Sequence, residues 1–279
     1  ILLVILAIFL CVAFYELLGI CVAYKKQPEV SNTTKKETKN GSWNECSENT
    51  ERAVIIEKNP EALLQRVRLI KNAKKEIILS TFAFQSDESG KLILGALHDA
   101  ADRGVHIRLL VDGMESWIDM EGNPYFYGLS SHENVEIKLY NKANPLKPWK
   151  MMGRMHDKYL IADGKRYILG GRNTYNYFLG DFPGHKNYDR DVLVVCDEPE
   201  KENSVNQLLE YFETIWEQED SGYFHDNKKL ANRKSVKNAV LELQNGYQKY
   251  FEENKERICD TDYTDETFET EKIALVSNP

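Results

Sequence analysis

Grouped metal ligands are missing from this sequence. Its five cysteines stand at 11, 21, 46, 196 and 259, with no Cys-x-x-Cys pair and no histidine at ligand spacing. That excludes a zinc finger or ribbon and gives no disulfide framework. A basic excess is missing too, since 44 acidic against 36 basic side chains leave a net charge of −8. Proteins that coat nucleic acid draw their affinity from Lys and Arg set against phosphates, so this balance disfavours nucleic acid as a partner. It leaves room for a local phosphate site. No short-period repeat is present, which excludes a solenoid. A starting Met is also absent: the chain opens on Ile1, inside an apolar run.

That run, ILLVILAIFLCVAFYELLGICVAY, is interrupted by one charge, Glu16. As a helix, its 24 residues would reach about 36 Å, against about 30 Å of bilayer hydrocarbon. No A-x-A-like cleavage site follows it, so residues 1–24 are expected to be a single membrane anchor and not a removed signal. Lys25, Lys26, Lys35, Lys36 and Lys39 follow, which by themselves would put the rest on the cytoplasmic side. A basic segment before Ile1 would reverse that, so the side stays open.

Residues 25–52 are polar and rich in Asn, Thr, Lys and Ser, and are expected to be a linker. From Ala53 the pattern changes. AVIIE reads as a strand, and NPEALLQRVRLIKNAKK as a helix with apolar residues at 63, 64, 67 and 70 and Pro60 in its first turn. EIILSTFAF, VHIRLLVDG, NVEIKLY and NYDRDVLVVC read as further strands. SGKLILGALHDAADRG, with Ser89 as N-cap and Gly104 as stop, and PEKENSVNQLLEYFETIWEQ read as helices. Alternation of this kind predicts an α/β fold, a mixed, largely parallel sheet flanked by helices, over residues 53–219. Residues 220–271 are expected to form a helical and acidic connector, and KIALVSNP (272–279) reads as the first strand of a second half.

The stretch RMHDKYLIADGKRYILGGRN, Arg154 to Asn173, reads as a hairpin turned at Asp163-Gly164. Residues two apart on a strand share a face, so His156 and Lys158 are expected to project together, with Asp157 pointing away. An imidazole beside an ammonium makes a phosphate site: the lysine supplies charge and donors, and the histidine can attack phosphorus or pass a proton. Gly170 and Gly171 permit a close approach, and the Asn173 amide can donate to a phosphate oxygen.

Written as His156-x-Lys158-x4-Asp163-x6-Gly170-Gly171-x-Asn173, these residues match the HKD signature of the phospholipase D superfamily. The stretch Asn59 to Gly113 resembles the opening unit of its cardiolipin-synthase branch, and Arg154 to Gly180 is most similar to the bacterial cardiolipin synthase C type. The likeness covers about Ala53 to Glu219 and leaves out the apolar leader and residues 220–271. It implies that His156, Lys158 and Asp163 are the catalytic residues, with His156 as nucleophile through a phosphohistidine or as general acid. It implies that Lys158 and Asn173 hold the phosphodiester oxygens, and that Asp163 ties down the hairpin or bonds within the site. It also implies no metal or cofactor, a phospholipid substrate and a bacterial plasma membrane.

Superfamily sites combine two such motifs, and this chain has one. His98, His106, His132, His185 and His225 lack a lysine two residues on, and of these only His185, in GHKNYDRD, is placed near the site. The second motif is expected from a further half of the same protein or from a homodimer partner. Three functions follow. The first is a membrane-anchored phosphodiesterase or phosphatidyltransferase acting on phospholipids, with cardiolipin synthase as its named form. The others are a one-motif homodimeric nuclease and a non-catalytic membrane-tethered module.

Overall fold

The computed structural model describes residues 1–25, 32, 35, 36, 39, 51–196, 198, 203–225, 227–271 and 273–275. The expected linker therefore lies mostly outside the described residues. The apolar leader forms α1 (Leu2–Lys25), a 24-residue helix with a mean hydropathy of 2.6 over its most apolar window, long and apolar enough to cross a membrane.

Strands and helices then alternate as β1 (Glu51–Ile56), α2 (Asn59–Asn72), β2 (Glu76–Thr81), α3 (Glu88–Asp102), β3 (His106–Asp112), α4 (Gly113–Asp119), α5 (Pro124–Ser130) and β4 (Val135–Tyr140). The hairpin is β5 (Lys158–Ala162) and β6 (Arg166–Gly170), followed by β7 (Asp191–Cys196) and α6 (Ser204–Trp216). Beyond Trp216 come β8 (Ser221–Tyr223), α7 (Lys234–Glu253), α8 (Lys255–Cys259) and β9 (Phe268–Thr270). One sheet holds every strand among the described residues, in the order β8-β4-β3-β2-β5-β6-β7-β1-β9.

The fold is the expected mixed α/β sheet flanked by helices, with one correction. Among the described residues, parallel pairing is confined to β2 with β3 and β3 with β4, where α3 and α5 make the crossovers; every other pairing is antiparallel. The sheet is thus mixed without being largely parallel. A parallel neighbour requires a long crossover, whereas β5, β6 and β7 follow one another through turns and loops.

Alternate residues of each strand serve the two faces. Ile77, Leu79, Leu109 and Leu160 meet α2, α3, α5 and α7 on one side. Ile78, Leu110, Tyr159, Ile161 and Val194 meet Leu208, Phe212 and Trp216 of α6 on the other. Helix α3 starts one residue past Asp87, whose carboxylate accepts from Gly90 N at 3.0 Å; Ser89, expected as the cap, lies inside the helix. Gly95 of α3 has no room for a Cβ because the Leu243 carbonyl would stand 2.7 Å away, so α3 and α7 pack closely there.

The 220–271 segment does more than connect. It supplies α7 to the core and a strand to each end of the sheet, β8 on β4 and β9 on β1. Of the strand expected in KIALVSNP, Ile273 to Leu275 carry no regular secondary structure, and residues 276–279 lie outside the described ones. Ile273 and Leu275 pack against the α6 side of the core.

Candidate active site

β5 pairs antiparallel with β2, and Lys158 stands opposite Thr81, so the start of β5 meets the carboxyl end of β2. In open α/β sheets this is the end where ligands are held. His156 lies two residues before the strand, in extended chain, and is exposed. The pair is nevertheless joined as expected, by a different route than a shared strand face. The buried Lys158 side chain folds back, with Nζ 3.0 Å from His156 Nδ1 and donating to the His156 carbonyl at 2.6 Å. His156 Nε2 has no hydrogen-bond partner among the described residues. Phe82, one residue past β2, closes the back of the pair: its ring lies 4.7 Å from the imidazole, centre to centre, and 5.4 Å from Lys158 Nζ.

Burial sets the electrostatics. Desolvation lowers the Lys158 pKa to about 8, against the pull of Asp157 and Asp189. Desolvation also lowers His156 below its ordinary 6.5, and the neighbouring ammonium adds to the shift. At neutral pH the site therefore presents a neutral imidazole, able to attack or accept, beside a cation. Asp157 does point away, as expected: its carboxylate accepts from the Tyr211 hydroxyl at 2.9 Å, and burial raises its pKa.

The other motif residues divide. Asn173 is buried and reaches the same end of the sheet, where its Oδ1 accepts from Ala83 N at 3.3 Å, one residue from Phe82. Asp163 does not join them. It sits at the far end of β5 in the left-handed region, φ 55°, with Gly164 at φ 62° completing the turn. Its carboxylate accepts from the amides of Lys74, Lys75 and Glu76, at 2.7 Å from the second. The expected hairpin tie is what the structure has, and a bond within the site is corrected. Five residues of extended chain separate the two, about 17 Å.

The glycine pair admits protein and not an open path to a ligand. A Cβ on Gly170 would collide with Asp191 Oδ1 and the Arg190 carbonyl, and one on Gly171 with the Asp189 carboxylate. Asp191 is buried and pairs with two guanidiniums, Arg66 at 2.9 Å and Arg172 at 3.2 Å. Arg172, fully buried, also donates to the carbonyls of Ile56 and Glu57. This network locks the segment that carries Asn173.

Sequence reasoning missed that network, and it missed Asp112. This fully buried aspartate ends β3, caps α4, accepts from Met155 N at 3.1 Å and faces Arg154 at 3.2 Å. It therefore holds the two residues that precede His156. Burial raises its pKa, and Arg154 opposes the rise. The signal was present in VDGM, an acidic residue closing an otherwise apolar strand. The remaining histidines have other work. His98 and His132 meet Asp102, His106 meets Glu136, His225 meets Glu121, and the exposed His185 meets Asn187 and the Tyr177 ring. None of these contacts reaches the His156 pair.

Residues 66–216 match the family described as Cardiolipin synthase, PLD-like domain. Over 212 residues the chain is 30% identical to an uncharacterized protein of Helicobacter pylori strain J99, covering 71% of this chain and 39% of that protein. Over 171 residues it is 29% identical to cardiolipin synthase C of Escherichia coli K12, covering 56% of this chain and 34% of the relative. The chain thus spans well under half the length of these relatives. The solved phosphatidylserine synthase of Haemophilus influenzae superposes with a TM-score of 0.53 at 18% identity, over 79% of this chain and 48% of that one, a likeness of fold.

Proposed function

We propose, from the premise that this chain belongs to the Cardiolipin synthase, PLD-like domain family, that it is a phosphodiesterase or phosphatidyltransferase acting on phospholipids and held to a membrane by α1. The observation that carries the reading is the His156–Lys158 contact: a neutral exposed imidazole with its Nδ1 3.0 Å from a buried ammonium. With a phosphodiester bound, Lys158 Nζ turns from Nδ1 to a phosphate oxygen, the imidazole carries its proton on Nδ1, and its free Nε2 attacks the phosphorus. The P–N bond forms, the P–O bond to the leaving alcohol breaks, and that oxygen takes a proton from a second acid. Lys158 and the Asn173 amide hold the non-bridging oxygens, where negative charge grows in the transition state. The hydroxyl oxygen of water or of an acceptor alcohol then attacks the phosphorus; the new P–O bond forms as the P–N bond breaks, the hydroxyl proton leaves to the same second group, and His156 returns to the neutral state.

We assign that second group to a partner histidine, from a further half of the same protein or from a homodimer partner, meeting His156 on its exposed face. Hydrolysis and transfer differ only in the acceptor. Relatives named as cardiolipin synthases favour transfer between phospholipids.

The test uses the protein reconstituted in vesicles of phosphatidylglycerol and phosphatidylethanolamine, with products followed by mass spectrometry. Cardiolipin, phosphatidic acid or an exchanged headgroup is expected, and His156→Ala should lower the rate by about a thousandfold or more. Lipids unchanged after prolonged incubation, together with metal-free cutting of single-stranded DNA, would replace this reading with the nuclease one.

A further inference from the structure

An apolar cavity opens at the start of α4, just past Asp112. Its volume is about 520 Å³, within the range of small-molecule sites, and Met114, Trp117, Ile118, Leu139 and Met151 form much of its wall. Two charged side chains also line it, Glu121 and Lys142. Glu121 is already engaged by the Tyr127 hydroxyl and His225, and Lys142 donates to the Tyr223 carbonyl. The remaining surface calls for an apolar occupant.

Two relationships say which. The first is to the chemistry. The cavity wall begins at Gly113 and Met114, directly after Asp112, and the Asp112 carboxylate holds the amide of Met155, the residue before His156. The cavity wall and the His156 segment are thus anchored to the same buried carboxylate. The second is to α1. The Tyr15 hydroxyl donates to the Leu146 carbonyl at 2.9 Å, and Gly19 packs on Pro148, where a Cβ would collide with the proline ring. Tyr15 is ten residues before the end of α1, so the Leu146 loop meets the helix about 15 Å inward from Lys25. A bilayer that accepts α1 would immerse this loop as well. Exposed apolar side chains suit that depth: Trp117 and Ile118 of the cavity wall are 67% and 71% exposed, and Leu146, next in sequence to the wall residue Pro145, is 78% exposed. An apolar cluster left open to water at a rim marks a surface made for another apolar phase.

We infer that the cavity between α4 and the 142–151 segment takes one acyl chain of the phospholipid whose phosphodiester meets His156, the lipid entering sideways from the bilayer along α1. The inference rests on the lipid reading above. The cavity then sets the depth at which the phosphate is presented.

The test is photolabelling. The full chain is reconstituted in phosphatidylglycerol vesicles containing a trace of phosphatidylglycerol with a diazirine at the end of one acyl chain, irradiated, and mapped by mass spectrometry. Label is expected on Met114, Ile118 and Met151 as well as on α1. Ala143→Trp, a change at an exposed position that fills the cavity mouth, should cut cavity labelling at least fivefold and leave α1 labelling unchanged. It should also raise KM for long-chain lipid while sparing turnover of bis(p-nitrophenyl) phosphate. Label confined to α1 overturns the inference, as does an Ala143→Trp protein that labels and turns over like the original. His156→Ala should label normally. Cavity labelling without any lipid turnover by the original chain would support the cavity and overturn the proposed activity instead.

Discussion

Lys158 holds His156 at two points, its ammonium 3.0 Å from the ring nitrogen Nδ1 and 2.6 Å from the same residue's carbonyl oxygen. One buried side chain thus orients the imidazole and adds to the desolvation that keeps it neutral.

The pH dependence follows from the two shifts. His156 must be neutral to attack, and its pKa lies below 6.5, so kcat/KM should rise as pH climbs through that lower value. Lys158 must be charged to hold the phosphate, and its pKa is about 8, so kcat/KM should fall as pH passes that point. Lys158→Arg should push the alkaline limb well upward and leave the acid limb in place. A pH profile of the variant that keeps its alkaline limb near 8 would assign that limb to another group.

Lys158 should also cost stability. Folding lowers its pKa from 10.5 to about 8, so near pH 7 the fold carries a desolvated charge that the unfolded chain does not. Lys158→Met should raise the denaturation midpoint by an amount worth about 1–3 kcal/mol while abolishing turnover. The penalty fades as pH rises. Between about 8 and 10.5 the folded amine is neutral while the unfolded one still binds a proton, so stability of the original chain rises with pH and the advantage of Met shrinks. Urea melts at pH 7 and pH 9.5 measure both effects.

Asp163→Ala removes the acceptor of three backbone amides and places Ala at a positive φ. The expected loss is about 1–3 kcal/mol in denaturant melts. At temperatures where the variant stays folded, its kcat should match the original, because the carboxylate lies at the far end of β5. A large fall in kcat with unchanged stability would return Asp163 to the chemistry.

Asp191→Asn leaves Arg66 and Arg172 buried with no anionic partner. The expected loss is about 3–5 kcal/mol, enough to unfold a typical domain or bring it close to unfolding. Circular dichroism melts measure it, and a variant as stable as the original would show that water or backbone already satisfies both guanidiniums.

What the sequence made legible depended on local signals. The helices, the strand alternation and the turn at Asp163-Gly164 followed from apolar spacing and from residues that tolerate positive φ. The closeness of His156 and Lys158 was legible from their separation, although Lys158 folds back instead of sharing a strand face. Parallel against antiparallel pairing was not legible, because it is decided by which strands meet across the sheet. Asp112 and Asp191 escaped for the same reason: their partners, Met155 and Arg154 for one, Arg66 and Arg172 for the other, lie far off in sequence or across a sheet. The role of Gly170 and Gly171 was half legible. They do permit a close approach, and the approaching groups are Asp191 and Asp189.

Strands β8 and β9 carry a consequence for how the chain is made. Each is three residues long, and together they cover the two outer strands, β4 and β1, which would otherwise offer six-residue hydrogen-bonding edges to any neighbouring chain. Both guards come from residues 221–270, so they leave the ribosome after the rest of the sheet. A nascent chain stopped at Glu219 would have both edges bare and the core face that α7 covers still open. For such a chain, self-association into extended β-aggregates would compete with folding until residues 221–270 arrived.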